Sequence, residues 1–272
     1  ILKLAAFAAA LALLAGVLWF SNGLLGNPVS KFLAGRSARE YLSAQYPDAD
    51  YQIESVIYSF KFGGYTAAIV SPTSIDSHFT LGLSMTGRIL WDGYHSVESG
   101  WNTWERLNAE YRALVDTVLD GPDFPYNVFI GFGDLWMEHE YGEPWPPYLL
   151  YSDLELDGEY DIRELGGACG RLTLYVRQDE VSAEEAAQIL LETRRALDEG
   201  NIPFWCIDFV LEHPLTEDGR LPEGDVQLRY FAYEDIPEEG LVERVKAGDA
   251  EAKAYYAAKD AENAKLAEEN SQ

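Results

Sequence analysis

The run from Leu4 to Phe20, LAAFAAALALLAGVLWF, contains no charged residue. Such a segment has to leave water, and about 17 residues is the lower limit for a helix that crosses a hydrocarbon core of about 30 Å. In lipid a helix satisfies its own backbone hydrogen bonds, and Trp19 and Phe20 fall where an interfacial aromatic belt is expected. Residues 1–21 therefore read as a transmembrane anchor. The rival reading is a cleaved signal peptide, whose apolar region is usually about 7–15 residues and ends in small residues. Ser21-Asn22-Gly23 would be its cleavage site. Flanking charge favours the opposite orientation, with Lys3 before the run and Lys31, Arg36 and Arg39 after it. A first span with a short head nevertheless tends to export the chain on its C-terminal side. The expectation is a single-pass cell-membrane protein with its soluble domain outside.

The rest of the chain is long enough for one large or two small domains. The whole chain is 47% hydrophobic and 13% aromatic, enough for this part to bury a core. The 46 acidic against 20 basic residues of the whole chain give a net charge of −26, which opposes binding to phosphate backbones, so no nucleic acid partner is expected. Two cysteines, Cys169 and Cys206, make neither a disulfide framework nor a zinc quartet. In an exported domain they can form a bridge, and two separate buried thiols are the equal alternative.

Periodicity predicts α+β architecture: the N-terminal transmembrane helix, then two small modules with antiparallel sheets. The first, residues 22–121, opens with an Asn27 cap and Pro28 at the first helical position. Large apolar residues then alternate at Val56, Tyr58, Phe60 and Phe62 before the turn residues Gly63-Gly64, which predicts a hairpin. Strands follow through Phe79, Leu81, Leu83 and Met85 and from Ile89 to Trp91, and a helix carries Trp104, Leu107, Tyr111, Leu114, Val115 and Val118. The second module, residues 122–247, has a strand from Val128 to Met137 and another from Arg171 to Arg177. A helix capped at Ser182 ends at Gly200-Asn201, and two further strands are predicted over 204–211 and 226–233. Residues 241–245 mark a short helix, and 248–272 read as a solvated acidic helical tail.

The stretches NGLLGNPVSKFLAGRSAREYLSAQYP, YSFKFGGYTAAIVSPTSIDSHF and GWNTWERLNAEYRALV, and later ELGGACGRLTLYV and FWCIDFVLEHP, resemble the YfjL-like family of small anchored proteins of Gram-positive bacteria. The resemblance covers most of residues 22–246. It implies an anchor and an external domain, and it supplies no catalytic residue.

Candidate chemistry is sparse. Asp153, Glu155, Asp157, Glu159 and Glu164, with Gly158 among them, offer oxygen ligands at the spacing of a calcium loop. The alternative is an acidic turn between apolar residues, since Glu155 replaces a shorter side chain and Pro144, Pro146 and Pro147 forbid a long incoming helix. Glu138-His139-Glu140 places one imidazole between carboxylates that point to opposite faces of a strand. Trp145, set between prolines, is the tryptophan best suited to an exposed binding role. No nucleophile elbow, P-loop or dinucleotide glycine pattern occurs. No cofactor is expected, and calcium at residues 153–164 is the one candidate.

The leading expectation is a non-catalytic binding or structural module of unknown activity, with an envelope protein or peptidase as the candidate partner. The alternatives are an exported carboxylate-based hydrolase of cell-envelope glycans and, because the helix-then-sheet order of the first module is similar to PepSY modules, a modulator of secreted peptidases.

Overall fold

In the computed structural model, which describes residues 2–136 and 149–269, the chain divides into two units, residues 1–104 with 151–158, and residues 105–150 with 159–272. The first unit begins with α1 (Leu2–Leu25) and α2 (Pro28–Gln45), followed by β1 (Gln52–Ser59), β2 (Gly64–Val70), β3 (His78–Ser84), β4 (Ile89–Asp92) and the single turn α3 (His95–Glu98). α2 starts as its sequence dictates: the Asn27 side chain accepts from the Ser30 amide at 2.8 Å, and Pro28 occupies the first turn. The four strands form an antiparallel meander in chain order. Ala34, Ala38 and Leu42 of α2 pack onto Tyr65, Ala67, Ile69, Phe79, Leu81 and Leu83, the alternate residues of β2 and β3.

α1 is a continuous helix, as expected, with Phe7, Leu11, Leu13, Leu14, Val17, Phe20, Leu24 and Leu25 exposed. Among the described residues no helix is long and apolar enough to cross a membrane, so the span assigned to residues 1–21 is not supported by the fold itself. The hairpin alternation also stops earlier than predicted. β1 ends at Ser59, and Phe60 and Phe62 stand on the exposed tip rather than on a core face.

α4 (Trp101–Leu119) crosses from the first unit into the second, so the boundary falls inside this helix and not at 121. The physical reason is its apolar stripe: Leu107, Tyr111, Val115 and Leu119 are buried, and Tyr111, Val115 and Leu119 crowd against Gly131 and Gly133. Those glycines belong to β5 (Val128–Leu135), the first strand of the second sheet. Then come α5 (Ile162–Cys169), β6 (Gly170–Arg177), α6 (Ala183–Glu199), β7 (Cys206–Glu212), β8 (Asp225–Ala232) and α7 (Leu241–Glu269).

The second sheet has the order β5-β6-β7-β8. Two of its three pairings are antiparallel, and β6 and β7 run parallel. A parallel neighbour requires a long crossover, and α6 supplies it. Leu172, Leu174 and Val176 of β6 and Ile207, Phe209 and Leu211 of β7 share a core with Ala186, Ile189, Leu190, Thr193 and Leu197 of α6, all buried as their spacing predicts. The short helix and the tail predicted after residue 240 are one helix of 29 residues. Its first half is not a solvated tail: Leu241, Val245 and Ala252 are buried, and Gly248 lets α7 approach Leu228 of β8.

Candidate functional site

Strand alternation that buries Leu172, Leu174 and Val176 sends Arg171, Thr173, Tyr175 and Arg177 to the other face of the second sheet. Across that face the register sets Asp134 of β5 opposite Arg171, and Asp208 of β7 opposite Thr173. The result is a row of alternating charge. Arg112 Nη2 donates to Asp134 Oδ1 at 2.7 Å, Arg171 Nη2 donates to Asp134 Oδ2 at 3.3 Å, and Arg171 Nη1 lies 3.5 Å from Asp208 Oδ2. The other Asp208 oxygen accepts from the Tyr230 amide at 2.7 Å. That contact is possible because β8 bulges opposite Asp208, and Tyr230 takes a left-handed φ of 49°. Strain of this kind persists only where surrounding bonds over-determine it.

Three aromatic rings lie against arginines in this unit. Arg171 lies over Trp136 at 4.0 Å, Arg177 over Phe129 at 3.9 Å, and Arg229 over Tyr255 at 3.6 Å. Arg177 also donates to Glu212 at 2.8 Å. Beside Arg229 and Tyr230, between β8 and α7, is a cavity of about 450 Å³ into which Asp235, Arg244 and Glu251 also face. Burial raises the Asp208 carboxyl, opposed by its Tyr230 amide bond and by Arg171, and burial followed by Asp208 pushes the Tyr230 phenol up to about 12. Chemically, the face offers fixed charges and flat rings. Asp134 and Asp208 share Arg171 between them.

A second polar cluster belongs to the first unit. Asp92 Oδ2 accepts from the Tyr41 and Tyr46 hydroxyls, both at 2.8 Å, and Oδ1 accepts from the Tyr94 amide at 2.8 Å. Tyr46 packs edge-on to Tyr51 and Phe79 and tilted against Tyr94. Burial and the Asp92 carboxylate hold the Tyr46 phenol far above its ordinary range, so it stays a donor. This cluster ties α2 to the sheet.

The residues singled out from sequence are dispersed. Asp153 ends a short 3-10 turn, and Asp157 has a left-handed φ of 57°. The Asp157 carboxylate accepts from Ser74 Oγ at 3.0 Å and from the Asp76 amide at 2.9 Å, and its own amide donates to Asp76 at 3.1 Å. Glu155 and Glu159 are exposed, while Glu164 lies in the first turn of α5, behind the Asp161 cap. Among the described residues no group of three or more His, Cys, Asp or Glu is placed to hold a metal ion, and Asp157, central in the calcium-loop reading, is bonded to the Ser74–Asp76 loop. Cys169 and Cys206 are both buried and free, so the bridge is absent. Burial pushes Cys169 up to about 11 and Cys206 higher still, and neither is a thiolate nucleophile at neutral pH. Trp145 and Glu138-His139-Glu140 lie outside the described residues. Sequence reading missed Asp134 and Asp208, although a lone acid inside an apolar strand, as in FIGFGDLW and CIDFVL, is the signal that marks them.

Against known proteins, the family models of the YfjL-like N-terminal domain and the YfjL-like C-terminal domain match residues 1–93 and 110–246. No curated protein and no solved structure matches the chain.

Proposed function

We propose that this chain, which belongs to the YfjL-like family, is a membrane-anchored extracytoplasmic binding protein, held by α1, that recognises its partner without catalysis. One observation carries the reading, the eight large apolar side chains of α1 that stand exposed. They spread over about half the circumference at 3.6 residues per turn, and a helix of this length measures about 36 Å, enough for a hydrocarbon core. The described residues alone do not amount to a span, so the reading adds the sequence of the whole run, in which no residue from 4 to 20 is charged. The binding half draws on the arginine and aromatic face of the second sheet, whose carboxylates are engaged by arginines and a backbone amide.

Fractionation of cells making the full chain tests it. The expected result is a protein that pellets with membranes, resists carbonate, dissolves in detergent and is digested by protease added to intact cells. Recovery in the soluble fraction, or protection from that protease, would overturn the anchor or the orientation respectively.

A further inference from the structure

Phe60 and Phe62 are 72% and 69% exposed on the β1–β2 tip, and Val29 and Phe32 on the first turns of α2 are 68% and 63% exposed. Four large apolar side chains in water at one corner of a unit with a filled core need an occupant. We infer that this corner docks on the surface of the bilayer that holds α1, with its rings in the boundary between headgroups and acyl chains, an inference that rests on the anchor proposed for α1.

Position is the first argument. Tyr58 Oη donates to the Gly23 carbonyl at 2.7 Å, and Tyr65 Oη donates to the Asn27 carbonyl at 2.8 Å while accepting from the Asn27 amide at 2.9 Å. The end of the hairpin is thus bonded to the residues that leave α1. Gly26 turns the chain there at a φ of +68°, and a Cβ on it would lie 2.6 Å from Tyr65 Oη, so the corner and the hairpin touch with no room for a side chain. Phe60 is two residues from Tyr58, about 7 Å of extended chain. A helix that emerges from lipid at Leu24 and Leu25 therefore brings the tip to the interface with it.

Charge is the second. Residues 1–39 hold no Asp or Glu, and neither do residues 55–75, although the chain carries 46. The cations in the corner are Lys31 and Lys61, both exposed. Residues 1–100 as a whole carry seven acids and six bases, whereas 101–272 carry 39 and 14. The repulsion that a strongly acidic protein would feel from anionic headgroups is removed from this corner and kept elsewhere. Exposed aromatic rings flanked by lysines suit a headgroup layer.

The test uses the full chain reconstituted in vesicles of phosphatidylcholine and phosphatidylglycerol. A Phe62→Cys variant and, as control, an Ile75→Cys variant carry the same environment-sensitive fluorophore, while Cys169 and Cys206 stay buried. Ile75 is 70% exposed but lies past the far end of β2, about 20 Å away along the strand. Lipids spin-labelled near the headgroup should quench the label at 62 at least about twofold more than the label at 75. A Phe60→Ser change in the Phe62→Cys chain, with the fold checked by circular dichroism, should reduce that excess. Equal quenching at both sites in chain that sediments with the vesicles would overturn the docking and leave the anchor standing. Chain that does not sediment would overturn the anchor, and the docking with it.

Discussion

Asp208 lies opposite Thr173 on the face away from the core, its side chain 20% exposed, so most of the solvation of its carboxylate has to come from protein. One arginine contact and one amide do this incompletely, and burial holds its pKa above the ordinary carboxylate value. A raised carboxyl pKa means that the folded chain binds the proton more tightly than the unfolded one, so this residue contributes least stability at neutral pH. Its contribution grows as pH falls through the raised folded value and levels off in the usual carboxylate range, where the unfolded chain is protonated too. Asp208→Asn cannot titrate. The stability difference between wild type and Asp208→Asn, measured by denaturant unfolding at a series of pH values, should therefore shift in favour of wild type on acidification. A difference that moves the other way would mean that the Arg171 contact, not burial, dominates this carboxylate.

Ser182 shows how far a single helix start is legible. Its hydroxyl accepts from the Glu185 amide at 3.0 Å, as the Ser-x-x-Glu spacing requires, and Ser182→Ala should cost about 1 kcal/mol in denaturant unfolding. The Asn27 cap, the meander, α6 and the strand pair β7 and β8 were equally legible, because in each the buried residues recur at one period. The failures share a cause as well. α5 hides behind an acidic run, and its Asp161 cap, bonded to the Arg163 and Glu164 amides, is what starts the helix there. Phe60 and Phe62 continue the strand period into a turn, where backbone geometry outranks pattern. For α7, the sequence marks only the start, residues 241–245, because beyond it Ala252 is a single small residue in a long polar run, yet Gly248 and Ala252 are what allow close packing. Of the candidate face, only the outward alternation of β6 could be read, since the pairing of Asp134 with Arg171 depends on register across strands distant in sequence.

At the scale of the whole chain the negative charge is concentrated after residue 100, with 39 acids against 14 bases. Mutual repulsion in that part opposes folding, and the surface ion pairs within it are individually worth little. Raising salt shortens the Debye length from about 30 Å at 0.01 M to about 3 Å at 1 M, so the thermal midpoint should rise with sodium chloride. A midpoint that falls would show that the Arg112–Asp134–Arg171–Asp208 row outweighs the repulsion around it.

Residues 151–158 belong to the first unit although residues 105–150, in between, belong to the second. Leu154 is buried there, and Asp157 fastens the Ser74–Asp76 loop. During translation, at about 5–20 residues per second, the first unit must wait several seconds for this returning strip while part of the second is already outside the ribosome. The first unit is then not a free-standing cassette: a gene cut at residue 104 would encode a fragment whose last clasp is missing.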